Sequence, residues 1–482
     1  MIALIVQSAA LLLATLARPV APPTPPDPAP PVPAAAHATR VELQLVRLAP
    51  GAGAVLVSSG IPLAPGALRA ADVPLVRVLV DGAERAAYVE PLRGRHPDGS
   101  VQAVLVQFRA PVGGSSGEAT LEIGTRAGAA RLPRGAGDRG RPAAVALPVS
   151  ADYLVATRIV GETLTVREAA RASAVIRRHD ETFARYADRH WERDGANWEK
   201  GNYYDRAAIY YAAWARTGKA EYWRRGTEMA LDYRRNYLEA NDYKASAHWA
   251  MLDGMVLHYL LTGDEASRTA VGRVADQMAV PYYMTNLQST TAEMENRMQA
   301  RVLLSFVLAE AVDAPSQEGH RWEALARQAL SKILASQSPD GAYRFKYPGV
   351  NQCGHNKPFM AGLLNDALIR YHTRIEPDRR ILPAVRKSLD YMWRNDWRAR
   401  DRAFVYLDGP CGRDRVGVAP DLNNLLVTGY AWYARESGED EYRRRADEIF
   451  AAAAAGSWLD GPKQFNQQYS ATHNYIGYRA PR

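Results

Sequence analysis

A helix apolar nearly all round, a tight Thr-Gly or Ser-Gly turn, then a helix charged on one face: this unit recurs along the chain and constrains its fold more than any other feature. It is plain in YYDRAAIYYAAWARTGKAEYWRRGTEMALDYRRNYL, in SAHWAMLDGMVLHYLLTGDEASRTAVGRVADQM and in DLNNLLVTGYAWYARESGEDEYRRRADEIF. Two looser copies are ENRMQARVLLSFVLAEAVDAPSQEGHRWEALARQALSKILA and NKPFMAGLLNDALIRYHTRIEPDRRILPAVRKSLDYMWRN. A helix apolar on every side must be enclosed, and a helix charged on one face can do the enclosing. Repeated pairs satisfy both demands in a closed ring of inner and outer helices. Five pairs are legible, and a sixth is expected to be split between residues 153–198 and the C-terminal tail. Residues 151–482 are therefore expected to form an all-α (α/α) toroid.

The connections differ in kind. Those from inner to outer helix, such as RTGKAEY and LTGDEAS, are short. Those from outer to inner helix are long and rich in Trp, Tyr, His and Asn: residues 190–205, 241–249, 282–297, 343–358, 406–424 and 465–475. The long connections must share one face of the ring, and ligand is expected there.

Ahead of the helices, residues 41–150 read as short alternating strands, among them VELQLVRL, VRVLVDG and QAVLVQFRA, separated by Gly, Pro and Asp turns. A small β domain, sandwich or barrel, is expected, giving an α+β multidomain chain. Residues 1–17, MIALIVQSAALLLATLA, read as a signal peptide, and the Pro-rich residues 18–40 as an extended linker. Export to the periplasm or the medium follows, with no stable membrane span after cleavage. The two cysteines, Cys353 and Cys411, suit one bridge between loops in an oxidising compartment, with two unpaired thiols as the alternative. The formal charge of +8 comes from Arg scattered through every segment, without a nucleic-acid-binding motif. A polyanion outside the cell is the better partner.

SSGIPLAPGAL followed by VRVLVDGAERAAYVEPLRGRHPDGSVQAVLVQFRA resembles the N-terminal β domain, of RIFT-barrel type, of exo-rhamnogalacturonan-lyase-like proteins, which carry a helical toroid behind it. HNKPFMAGLLNDALIRYH and NYYDRAAIYYAAWARTG look like inner helices of toroidal polysaccharide lyases and unsaturated-glycan hydrolases. The resemblance implies a glycan-degrading enzyme and leaves lyase and hydrolase both open.

A β-elimination lyase needs a group that neutralises the uronate carboxylate, a base and an acid. Asn296 and Arg297 are candidate neutralisers, His248 or His355 the base, and Tyr343 or Tyr204 the acid or base, with Arg344 and Lys357 as nearby cations. His355 precedes Asn356, read as a helix N-cap, and Pro358 in the first turn, which would aim it into the ring mouth. His248 could instead be packed beside Trp249, and Tyr204 could be an aromatic wall. Trp198, Glu199, Asn202, Trp249, Asp253, Asn356, Lys357, Asn423 and His473 are candidate substrate contacts. A hydrolase needs two carboxylates across the bond, for which Glu199, Asp205, Asp253, Glu293, Glu295 and Asp421 lie in suitable segments, Asp421 more plausibly as a cap. No HExxH, zinc-spaced cysteines, phosphate-cradling loop or GxSxG is present, so no cofactor is expected, although a divalent metal assembled from distant loops stays open. The basic balance and the Arg, His, Asn and Tyr of the long connections favour elimination of an acidic polysaccharide over hydrolysis. A non-catalytic glycan-binding protein is the third reading. A role for His96 depends on whether the loop RGRHPDGS reaches the ring mouth.

Overall fold

Apolar alternation in the first part of the chain produces strands that bury every second residue. In β1 (Thr39–Arg47), Val41, Leu43 and Leu45 turn inward while Arg40 and Glu42 face solvent. The computed structural model describes residues 39–51, 53–113, 117–124, 131–135, 140–288, 294–346, 354–409 and 416–480. The leader, nearly all of the Pro-rich segment, Glu293, Cys353 and Cys411 lie outside the described residues. Further strands are β2 (Ala54–Pro62), β3 (Val76–Val80), β4 (Ala83–Arg85), β5 (Ala87–Pro91), β6 (Ala103–Pro111), β7 (Gly117–Ile123) and β8 (Ala144–Pro148). They form one eight-stranded sheet in the order β4-β3-β7-β1-β8-β2-β6-β5, not the two sheets of a sandwich. Every pairing is antiparallel except β2 with β8.

The sheet is apolar on both faces for a reason visible in β6. Val104, Val106 and Phe108 join the sheet's own core, while Ala103 and Leu105, with Val145 and Leu147 of β8, pack into the helical core. The approach is close enough to require glycine at position 60, where a Cβ would overlap the Leu260 carbonyl. Because that obstacle is backbone, no rotamer change relieves it. Gly60→Ala is expected to destabilise the chain by about 3 kcal/mol, at the upper end for overpacking; thermal unfolding followed by circular dichroism checks it.

Short helices α1 (Ala151–Ala156) and α2 (Val166–Ala172) lead into the long α3 (Ala174–Asp194) and the single turn α4 (Trp198–Gly201). Five pairs follow: α5 (Arg206–Thr217) with α6 (Ala220–Tyr233), α7 (Asp253–Thr262) with α8 (Glu265–Met278), α10 (Asn296–Ala311) with α11 (Trp322–Ala335), α12 (Pro358–Arg374) with α13 (Ile381–Asn395), and α14 (Val427–Ser437) with α15 (Asp440–Gly456). A short α9 (Pro281–Asn286) precedes the third pair. The recurring turn glycine is explained by its backbone. Gly218, Gly263 and Gly438 each sit at the end of an inner helix with φ of +72°, +73° and +74°, where they cap it in the left-handed conformation.

Helices α16 (Pro462–Tyr469) and α17 (Thr472–Arg479) bring the C-terminal tail back against α3 and complete the ring. His190 of α3 bonds the Leu459 carbonyl at 2.8 Å, Phe183 stacks on Phe465, and the Tyr469 hydroxyl donates to the His179 carbonyl at 3.0 Å. The sheet sits at the C-terminal ends of the inner helices: Gly263 after α7 packs on Leu105, and Gly218 after α5 on the Val149 carbonyl. A small sheet of β9 (Trp397–Arg398), β10 (Ala403–Leu407) and β11 (Val416–Val418) lies in the connection before α14. Among the described residues no helix is long and apolar enough to cross a membrane.

Candidate functional site

The starts of four inner helices converge on Glu295, the cap residue of α10. Its Oε1 accepts from Arg297 at 2.5 Å and lies 3.9 Å from His248 Nε2, and its Oε2 accepts from Lys357 Nζ at 3.1 Å. Arg297 also donates to the Tyr203 hydroxyl at 2.9 Å, which leaves the phenol's own proton to point elsewhere. Two cations thus share one carboxylate, and the cluster carries an excess positive charge beside a neutral base. Burial, reinforced by the Arg297 charge, holds the His248 imidazole below its ordinary range, although Glu295 opposes the shift. The His248 side chain is 40% exposed, whereas Arg297, Glu295 and Lys357 are nearly covered.

Aromatic rings wall this mouth. Trp198 meets Trp249 edge-on at 5.3 Å, Tyr203 meets Trp249 at 5.0 Å, and Trp198 lies 4.4 Å from Tyr237. Lys357 lies between the fully buried Phe345 ring, 5.0 Å from its centre, and the exposed Tyr406 ring, 6.0 Å from its centre. Such rings offer flat apolar faces to sugars.

Deeper along the same axis is a cavity of about 420 Å³. Tyr204 links the two regions, its ring 4.8 Å from Tyr203 and its side chain on the cavity wall. Asp205, Asp253, Arg301, Asp366, Arg370, Arg374 and His473 also line it. Arg370 grips Asp253 with both amino groups, one at 2.9 Å, and lies 3.9 Å from Asp366. Burial pushes the Asp253 carboxyl up, but Arg370 outweighs it and holds the group below the usual range. Asp366 goes the other way, raised by burial and by the Asp253 charge against the pull of Arg370. His473 is pushed down to about 4 by burial, with Arg216 contributing.

Asp205 caps α5, accepting from Ala208 N at 3.1 Å and from Gly254 N at 2.9 Å. Burial, reinforced by Asp253, pushes its carboxyl up to about 6. A folded value above the unfolded one makes the group's contribution full in acid, and that contribution is lost as pH rises through about 6. The loss amounts to about 3 kcal/mol for a shift of about two units. Asp205→Asn cannot ionise, so its stability relative to wild type is expected to improve between about pH 4 and pH 7 by up to that amount. Urea unfolding of both proteins at the two pH values measures it.

The remaining candidates fall elsewhere. Tyr343 is 1% exposed in the core, its hydroxyl without a hydrogen-bond partner among the described residues, and burial pushes its phenol far up. His355 is buried rather than aimed into the mouth: its backbone pairs with Phe345 and its Nδ1 bonds the Asp408 carbonyl at 3.0 Å. Asn356 is not the N-cap. Lys357 holds that position, Pro358 is the first helical residue, and the Asn356 amide donates to Asp396 at 3.0 Å. Asn296 bonds Gln299 at 3.0 Å within the core. Asn202 and Asn423 accept from backbone N–H groups at Ala207 and Phe404, which fixes loops. Asp421 lies in a 3-10 turn, Pro420–Leu425, whose cap residue is Ala419. Glu199 is solvent-exposed on α4. The loop of residues 93–100 does reach the axis, but at the opposite end from the mouth, where Arg95, His96 and Asp98 line the deep cavity.

Reading from sequence missed Tyr203, Arg301, Asp366, Arg370 and Arg374. The last three are spaced four apart on α12, and an Asp-Arg-Arg stripe on a helix this apolar was the available signal. Among the described residues no three His, Cys, Asp or Glu side chains are grouped as metal ligands.

No family model matches the chain, and no curated protein does. Solved structures with a similar course include an unsaturated glucuronyl hydrolase variant from Streptococcus agalactiae, at 11% identity and TM-score 0.45, covering 69% of this chain and 97% of that one. An unsaturated glucuronyl hydrolase from a Bacillus species overlaps at 10% identity and TM-score 0.41, over 59% of this chain and 85% of that one. Cellobiose 2-epimerase from Bacillus thermoamylovorans overlaps at 9% identity and TM-score 0.40, over 52% and 74%.

Proposed function

We propose that the chain is an exported enzyme that cleaves an acidic polysaccharide by β-elimination at the aromatic-walled mouth. The observation that carries this reading is the grouping of a solvent-facing neutral imidazole, a phenol and two cations around the single carboxylate of Glu295. A uronate carboxylate competes with Glu295 for Arg297 and Lys357, and their charge stabilises the carbanion formed next to that carboxylate. His248 Nε2 takes the proton from the carbon beside the carboxylate. The electron pair left behind forms the carbon–carbon double bond as the glycosidic carbon–oxygen bond breaks. Tyr203 gives its proton to the departing oxygen. The net positive charge of the mouth favours a polyanion over a neutral glycan.

A second reading, hydrolysis, has its own observation: Asp253 is held ionised by Arg370 while Asp366, beside the same guanidinium, is held up. Carboxyls pushed apart in this way suit a base and an acid. Incubation with a panel of uronate-containing polysaccharides separates the two. Rising ultraviolet absorbance with no gain of water in the product mass supports elimination. New reducing ends that carry one added water and no absorbance would replace it with hydrolysis in the deep cavity.

A further inference from the structure

Two guanidinium groups on the wall of the deep cavity have no close partner among the described residues. Arg301 of α10 and Arg374 of α12 line it and have no hydrogen bond or ion pair to any described residue, whereas their neighbour Arg370 is fully engaged with Asp253. Arg301 is half-buried and Arg374 is exposed, so both guanidinium groups are accessible to a ligand anion, with which they form charge-assisted hydrogen bonds. The carboxylates on the wall act on these cations at a distance but pair closely with neither. Asp253 is matched by Arg370, and Asp205 spends its two oxygens on backbone N–H groups. Asp366 lies 3.9 Å from Arg370 and leaves an acceptor facing the space. The wall also carries Asp98, bonded to Ser100, and Glu162, paired with Arg435, while the Tyr204 ring, Leu257, Leu304 and Leu363 offer apolar faces and Ser470 and Asn474 offer hydroxyl partners. At about 420 Å³ the volume is within the range of small-ligand sites.

We propose that this cavity is a second binding site, separate from the mouth, for one small carboxylated sugar whose carboxylate lies between Arg301 and Arg374 and whose hydroxyls donate to Asp366. The ligand is a free uronate or the terminal uronate of a chain. The site does not depend on the elimination reading, since none of its anion-holding groups belongs to the mouth.

The test is calorimetric titration of the full chain carrying Arg297→Gln and Lys357→Gln, which leaves Glu295 as the uncompensated charge of the mouth and removes its pull on uronates, with galacturonate, glucuronate and glucose as probes. At least one uronate is expected to bind ten-fold or more tightly than glucose. Adding Arg374→Gln or Arg301→Gln is expected to weaken the uronate at least ten-fold, and Arg374→Lys, which keeps the charge, is expected to lose less than Arg374→Gln. Displacement of the monosaccharide by a uronate trisaccharide identifies the occupant as a chain end, and failure to displace it identifies a free sugar. Absence of uronate binding, equal binding of glucose, or uronate affinity indifferent to both Arg301 and Arg374 overturns the site. Loss of elimination in His248→Ala with uronate titration unchanged keeps the two readings distinct.

Discussion

His248→Ala is expected to lower kcat for elimination by about 10² to 10⁴ while changing KM little, the span typical for removing a positioned general base. The imidazole is the part of the Glu295 cluster most open to solvent, and among the described residues it makes no close hydrogen bond that would hold it as a structural element. Its protonation state predicts a second signature. Burial and the Arg297 charge keep the ring neutral below the ordinary imidazole range. Wild-type kcat/KM is therefore expected to stay flat through neutral pH and to fall only in acid, where the base takes up its proton. The residual activity of His248→Ala should lack that acid limb. A variant with full activity, or an acid limb that survives the substitution, would remove His248 from the chemistry.

The largest expected effect on stability is that of Arg216→Ala. Arg216, at the end of α5, meets Asp180 of α3 in two parallel bonds of 2.6 and 2.7 Å, and its Nε donates to the Leu164 carbonyl at 2.9 Å. Both side chains are nearly covered, at 10% and 6% exposure. Truncating one partner strands the Asp180 charge where water cannot hydrate it, at a cost of about 3–5 kcal/mol. Arg216→Met combined with Asp180→Leu is expected to cost less than Arg216→Ala alone, because no charge is then left unpaired. Denaturant unfolding of the three proteins decides the point, and an Arg216→Ala loss under about 1 kcal/mol would mean that the pair adds nothing beyond a surface contact.

The sequence made the helix pairs readable because each is punctuated by a glycine that the left-handed cap requires, and because inner and outer helices differ in which faces can tolerate charge. It also made the mouth readable as a set of segments, since His248, Arg297, Glu295, Lys357, Trp198 and Trp249 all come from the long connections and do meet. It did not reveal which way each side chain turns. Tyr343, His355 and Asn356 lie in a connection as polar as the others, yet there the strand-like pairing of Phe345 with His355 and the buried Asp408 draw them into the interior. Asp366, Arg370 and Arg374 were hidden for the opposite reason. They interrupt an apolar helix without breaking its period, and only the hollow at the ring's axis gives polar groups a place there.

The helix starts that gather at the mouth have an effect that no side chain encodes. α5, α7, α10 and α12 all begin there, with the residues just before or at those starts in mutual contact. Each helix start carries about half a positive elementary charge from its aligned peptide dipoles. The mouth is therefore an electrostatic lens written partly in the main chain, and substitution scanning sees only the other part. A protein in which Arg297, Lys357 and Glu295 were all replaced by neutral residues would still favour anions over neutral sugars at this face.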